Sequence, residues 1–133
     1  MITKKLKVIF GLAIPLFIAH GLEEIFNDFY NIDSQVEFWL GNLNSLPTAQ
    51  ATFILLQIML WLMLIIGYLL ILGPKWQLRL MFIPGVAFLY EFHHLYKVFE
   101  VGGYYPGIVT AIPLYIIGFL FWRELIKNYK LIN

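Results

Sequence analysis

Residues 48–73 read TAQATFILLQIMLWLMLIIGYLLILG, and this stretch contains no charged side chain. A helix needs about 20 apolar residues to cross roughly 30 Å of hydrocarbon, because it rises about 1.5 Å per residue. The rest of the chain has a similar character: 61% of its 133 residues are hydrophobic and only 13% are charged. Soluble domains are about a quarter charged. We therefore expect lipid, rather than water, to cover most of this protein.

Three further segments are apolar enough to cross a membrane. They run from about Val8 to Phe26, from Leu78 to Phe99 and from Tyr104 to Trp122. An internal proline is expected to bend three of the four helices, because it lacks the N–H that the helix needs; these prolines are Pro15, Pro84 and Pro113. The sequence predicts an all-α integral membrane four-helix bundle, with residues 1–133 forming a single four-span domain.

The basic residues indicate how this bundle lies in the membrane. In a four-span topology all but one of them fall on the same side, namely Lys4, Lys5, Lys7, Lys75, Arg79, Arg123, Lys127 and Lys130. Lys97 is the exception. Cytoplasmic loops carry an excess of Lys and Arg, so both termini are predicted to be cytoplasmic, in a bacterial cytoplasmic membrane.

The first predicted span carries ionisable residues that an ordinary membrane helix lacks. His20, Glu23 and Glu24 are spaced i, i+3 and i+4, so they share one face of the helix. A charge at the bilayer centre costs roughly 3 kcal/mol on insertion scales. Some interaction must offset this cost, and it bears directly on what the protein does.

The third span carries a second set at a matching depth. Glu91 and His94 are three residues apart and share a face, whereas His93 points about 100° away. His20 is twelve residues beyond Val8 and Glu91 is twelve beyond Arg79, so both lie about 18 Å from the inner boundary. The depths therefore predict one inward-facing polar cluster in the outer half of the membrane.

The leading hypothesis is a metal-dependent membrane enzyme, a hydrolase or oxygenase acting on a lipid-like substrate. Imidazole and carboxylate ligands suit Zn²⁺ or Fe, and one or two ions are expected on His20, Glu23, Glu91 and His94. Glu24 is the candidate general base, and His93 would orient a ligand or carry a proton. Polar residues at a similar depth or near the mouth are the candidate substrate-binding residues: Gln57, Lys97 and Thr110.

Two alternatives remain open. The same cluster would also suit a non-enzymatic binding protein or a small transporter for a cation, a proton or a polar lipid head. In the third hypothesis the His–Glu pairs only join two helices through hydrogen bonds. No Gly-x-Ser-x-Gly or His-Glu-x-x-His motif is present, no basic cluster suggests nucleic acid, and the oligomeric state is not predicted.

The motif His20-Gly21-Leu22-Glu23-Glu24 resembles the signature of the HXXEE-motif family of small bacterial membrane proteins. The stretches EFHH at residues 91–94 and PGIVTA at 106–111 are similar to other recurrent stretches of that family. The resemblance extends from about residue 12 to about residue 120. It implies that the motif residues matter, but the family carries no assigned activity, so the resemblance implies no reaction.

Overall fold

The computed structural model describes residues 2–131, which fold into α-helices and one short 3₁₀ helix, with no strand in that part of the chain. In chain order the elements are α1 (Lys4–Phe26), α2 (Phe29–Ile32), α3 (Ser34–Leu40), the 3₁₀ helix (Gly41–Ser45), α4 (Thr48–Ile71), α5 (Pro74–Leu80), α6 (Phe82–Tyr90), α7 (Phe92–Val101) and α8 (Ile108–Lys130). The all-α prediction is confirmed.

Three of these helices, α1, α4 and α8, are long and apolar enough to cross a membrane. They mark the chain as a membrane protein. The predicted third span is instead divided into α5, α6 and α7, with breaks at Met81 and Glu91. Pro84 explains the first break, because its nitrogen has no hydrogen to donate to the preceding turn. At the second break the carbonyl of Glu91 accepts a hydrogen bond from the Tyr115 hydroxyl at 2.9 Å.

The core lies where α1 and α8 pack along each other, with α6 against both. Leu6, Ala13, Leu114, Phe121 and Leu125 are completely buried there. Close packing of these helices is what gives the site below a fixed geometry, because side chains in a dense interior cannot shift independently.

Polar contacts set the register of α1 against α8 at the end of the molecule where α1 begins. The Thr3 N–H donates to Asn128 Oδ1 at 2.8 Å, and the Asn128 amide donates back to Thr3 Oγ1 at 3.1 Å. Lys5 pairs with Glu124 at 3.0 Å. These pairs join the beginning of α1 to the end of α8, so the two helices run antiparallel along nearly their full lengths.

Two glycines bring α6 close to α8. A Cβ on Gly118 would lie 2.9 Å from the Phe88 ring, and one on Gly85 would lie 2.9 Å from Trp122. The Trp122 indole N–H also donates to the Gly85 carbonyl at 2.9 Å. This interlocking holds the segment that leads into Glu91 and α7.

Helix α4 departs from the predicted four-helix bundle. Among the described elements it contacts only α5 and the 3₁₀ helix, and none of its residues is buried. The body of the protein is therefore formed by α1, α8 and the α6–α7 segment, with α4 beside it. Matched depths fix only the height of a residue in the membrane, so they did not reveal this lateral separation.

Candidate metal centre

Three buried side chains from α1 and the α6–α7 junction converge near the C-terminal end of α1. His20, Glu91 and His94 are 4%, 7% and 1% exposed. Each offers a ligand atom, and the three atoms all lie within 4.8 Å of one another. The imidazole rings of His20 and His94 are nearly perpendicular, with centroids 4.7 Å apart.

Three of the four nitrogen–oxygen distances in this cluster suit ligands of a common ion, and the fourth, between His20 and Glu91, is that of a hydrogen bond. His20 Nε2 lies 2.7 Å from Glu91 Oε2, and His94 Nε2 lies 3.5 Å from that same oxygen. The Glu24 carboxylate lies 3.5 Å from His20 Nε2 and 3.3 Å from His94 Nε2. Atoms bound to one ion at roughly 2.0–2.2 Å lie roughly 3.0–3.5 Å apart in tetrahedral or octahedral geometry.

Glu91 Oε2 is the atom on which the cluster converges. It is buried, and His20 Nε2 and His94 Nε2 lie 2.7 Å and 3.5 Å from it. A buried carboxylate is costly unless it is paired, because the group has lost its water. The two imidazoles are its partners among the described residues, and an ion held among the three side chains would also neutralise its charge.

A hydrogen-bond chain fixes the His20 ring. His20 Nδ1 lies 2.9 Å from Thr110 Oγ1, which lies 2.5 Å from Glu23 Oε2. An ionised carboxylate only accepts hydrogen bonds, so the Thr110 hydroxyl donates to Glu23 and accepts the proton on His20 Nδ1. With Nδ1 bonded to Thr110, Nε2 is the ring nitrogen that faces Glu91, and it is the one that would bind an ion.

The structure places Glu23 outside the cluster. Its carboxylate accepts hydrogen bonds from the backbone N–H groups of Val109 and Thr110 and from the Tyr104 hydroxyl. It therefore caps the first turn of α8, where unpaired N–H groups and the helix dipole favour a negative charge. Glu23 faces α8 while Glu24, one residue further along α1, faces the two imidazoles.

Glu24 is also the member of the group that reaches open space. Its side chain is 25% exposed, and it lines a pocket of about 270 Å³ with residues of the α1–α3 region: Ile25, Asp28, Phe29, Tyr30 and Val36. The pocket gives a small molecule a route to the Glu24 carboxylate, which lies within 3.5 Å of both imidazoles.

His93 belongs to a separate buried pair. Its Nε2 donates to Asp33 Oδ2 at 2.7 Å, and the Tyr105 hydroxyl donates to the same oxygen at 2.5 Å. The other Asp33 oxygen caps α3 by accepting from the N–H groups of Gln35 and Val36. Burial alone would raise the pKa of Asp33, but these hydrogen bonds outweigh it and lower the pKa to about 2. An ionised Asp33 thus anchors the α2–α3 segment to α7.

Asp33 and Tyr105 were not among the predicted site residues. The position of Asp33 just before α3 predicts that it caps that helix. No local pattern predicts that Asp33 also pairs with a histidine 60 residues away. The bonds of Asp33 to His93 and Tyr105 hold the segment that carries Phe29 and Tyr30 beside the cluster, with the Phe29 ring 5.3 Å from the ring of His94.

Gly107 forms one wall of the cluster. A Cβ built on it would lie 2.6 Å from His94 Cε1 and 2.8 Å from His20 Cε1. Its φ of +91° also lies in the region that favours glycine. Only a residue without a side chain lets the α8 entry approach both imidazoles this closely.

The structure does not bring the three predicted substrate-binding residues together. Thr110 lies beside the cluster through His20 and Glu23. Lys97 pairs with Glu100, also on α7, at 2.8 Å. Gln57 lies on α4, which does not contact α1, α7 or α8. Among the three, only Thr110 contacts a cluster residue.

The fold and the site together define an all-helical membrane protein with a buried His–Glu cluster between a long helix and a broken one. The family described as "Protein of unknown function with HXXEE motif" matches residues 11–122. The chain belongs to this HXXEE-motif family, in which His20, Glu23 and Glu24 are the motif residues. No curated protein and no solved structure matches the chain.

Proposed function

We propose that the α5–α7 segment forms a fourth membrane crossing beside α1, α4 and α8. Helices α6 and α7 with the turn between them cover residues 82–101, about 30 Å of helix at 1.5 Å per residue. This crossing places the eight basic residues named above on one side. Both termini would then be cytoplasmic, in a bacterial cytoplasmic membrane.

Within this membrane protein, His20, Glu91 and His94 bind one divalent transition metal ion, zinc or iron. The observation that carries this proposal is the convergence of three buried ligand atoms within 4.8 Å. Two imidazoles and one carboxylate are a ligand set that leaves a further position open, as catalytic zinc sites do. Glu23 does not belong to this set, because its oxygens cap α8.

The function that this arrangement supports best is a metal-dependent membrane enzyme, a hydrolase or oxygenase, that acts on a lipid-like substrate. A bound zinc ion supplies Lewis acidity and lowers the pKa of water to about 7. Glu24 lies beside both imidazoles and opens to the pocket, so it accepts the proton as general base. Thr110 and Glu23 keep His20 in the tautomer that binds the ion. An apolar molecule reaches such a site most readily from the bilayer.

A second candidate is cation binding or transport through the same cluster. It is favoured by the two carboxylates, Glu24 and Asp28, that line the pocket. Carboxylates along an approach route attract cations and lower the energy of a charge near the membrane. In this case Glu24 would pass a cation inward instead of accepting a proton from water.

Reconstitution with lipids tests the enzymatic proposal. The metal-loaded protein would be incorporated into vesicles of polar lipid from a bacterial expression host, and the lipids followed by mass spectrometry. We expect a lipid class to be converted by the wild type and at least about a hundredfold more slowly by Glu24→Gln, the loss typical of a general base. Glu24→Gln should keep its metal.

Glu37→Gln serves as the matched control, because Glu37 lies on α3 outside the cluster. It should convert lipid at the wild-type rate. Unchanged lipids with metal-loaded wild type would contradict the enzymatic proposal and favour the cation-binding one.

A further inference from the structure

Helix α4 carries polar side chains that find no partner among residues 2–131. Between Phe53 and Ile71 its only residues with N–H or O–H groups in the side chain are Gln57, Trp61 and Tyr68. None of the three hydrogen-bonds to any residue between positions 2 and 131. Gln57 lies nine residues into the span, about 13 Å below its outer end, where no water is available.

These polar residues lie on one side of α4. At 100° per residue, Trp61 is about 40° and Tyr68 about 20° from Gln57 around the helix axis. Gln50, one heptad before Gln57, falls at about 20° as well. We call these four residues the polar seam of α4. The face opposite the seam, around Met59 and Ile66, is entirely apolar.

Lipid can cover the apolar face of α4 but cannot satisfy Gln57 and Trp61, the two seam residues that lie deep in the span. Hydrocarbon offers no hydrogen-bond partner, so an unpaired amide within it is unfavourable. Association of membrane helices is commonly driven by such side chains bonding across the interface. The spacing of Gln50, Gln57, Trp61, Leu64 and Tyr68 by three, four or seven residues is also that of helices packed along each other.

We propose that the polar seam is a homodimer interface, in which α4 of one copy packs against α4 of a second copy with the Gln57 amides bonded to each other. A primary amide is both donor and acceptor, so a twofold axis normal to the membrane pairs Gln57 with itself. Two copies of a protein in one membrane have the same orientation, which makes the α4 helices parallel. The metal site is not needed for this association.

Single-cysteine cross-linking in native membranes tests the proposal, because the chain has no cysteine of its own. Leu64→Cys lies on the same side as the seam, seven residues from Gln57, and Ile66→Cys lies about 180° away at nearly the same depth. Both positions are exposed, at 62% and 38%. Mild oxidation should yield disulfide-linked dimers of Leu64→Cys and few of Ile66→Cys. Equal cross-linking of both variants, or of neither, would overturn the proposal.

The Gln57 amide is tested in a second measurement. Gln57→Leu places an apolar side chain on an exposed span, so the helix still inserts. Dimerisation measured by single-molecule photobleaching in bilayers should weaken about three- to tenfold, the range for one interhelical hydrogen bond. Met59→Leu, on the opposite face, should leave it unchanged. If Gln57→Leu dimerises as strongly as the wild type, the amide does not hold the interface and the proposal fails.

Discussion

The His94→Ala protein is expected to retain less than about a tenth of the metal that the wild type binds, whereas His93→Ala retains nearly all of it. The two histidines are adjacent, yet His94 Nε2 lies 3.5 Å from Glu91 Oε2 while His93 bonds to Asp33. Losing even a supporting residue of a metal site costs about 10- to 100-fold in affinity. Losing one of three ligands should cost at least as much. Elemental analysis of the purified proteins measures the difference.

The paired variants also separate metal loss from unfolding. His93→Ala removes the hydrogen bond to Asp33 that anchors α2 and α3 on α7. We therefore expect it to destabilise that region more than His94→Ala does, although it keeps the metal. Thermal melting in detergent reports whether each variant is folded. A folded His94→Ala protein that keeps a full complement of metal would contradict the ligand assignment.

The Gly107→Ala protein is expected to lose both metal and stability although no ligand has changed. The added methyl group would lie 2.6 Å from His94 Cε1 and 2.8 Å from His20 Cε1, and the backbone φ of +91° is strained for alanine. Strain and overpacking of this kind each cost about 1–3 kcal/mol. Since the imidazoles would have to move apart, we expect at least about a tenfold drop in metal affinity.

Two nearby glycines make matched controls for this effect. A Cβ on Gly103 would meet nothing within 4 Å, and Gly102 has free space but a φ of +70°. Gly103→Ala should resemble the wild type, and Gly102→Ala should lose stability but keep its metal. Denaturation in detergent and metal titration measure the two effects separately. Normal metal affinity in Gly107→Ala would show that the two rings do not need their observed spacing.

Helix spacing and depth predicted much of the cluster. Residues three and four apart share a face, and equal distances from the inner boundary placed His20 on α1 level with Glu91 of the third segment. The structure brings these two residues and His94 together, as predicted. This part was predictable because it depends on the fixed rise and rotation of a helix, which are properties of the backbone alone.

The distinction between Glu23 and Glu24 was not predictable in the same way. Both residues lie on the face of α1 that carries His20, so spacing assigns them equally to the cluster. Which of them faces the imidazoles depends on where the first turn of α8 packs. In the structure the N–H groups of Val109 and Thr110 in that turn donate hydrogen bonds to Glu23. Contacts between segments 86 residues apart leave no local pattern.

The position of α4 shows a second limit. Depth placed Gln57 level with the cluster, but depth says nothing about position in the plane of the membrane. The apolar sequence of α4 suits lipid on every side but one, so it does not require packing against α1 or α8.

The break at Met81, by contrast, follows from Pro84. The sequence predicted a bend at this proline, but not a division into separate helices.

X-ray absorption spectroscopy at the edge of the bound metal tests the central claim most directly, because it counts the ligand atoms around the ion. We expect the wild-type protein to show two imidazole nitrogens and one or two carboxylate oxygens at about 2.0–2.2 Å. In Glu91→Gln the oxygen contribution should fall while both imidazoles remain. A spectrum without imidazole scattering, or wild-type protein with no stoichiometric transition metal after purification without chelators, would contradict the account.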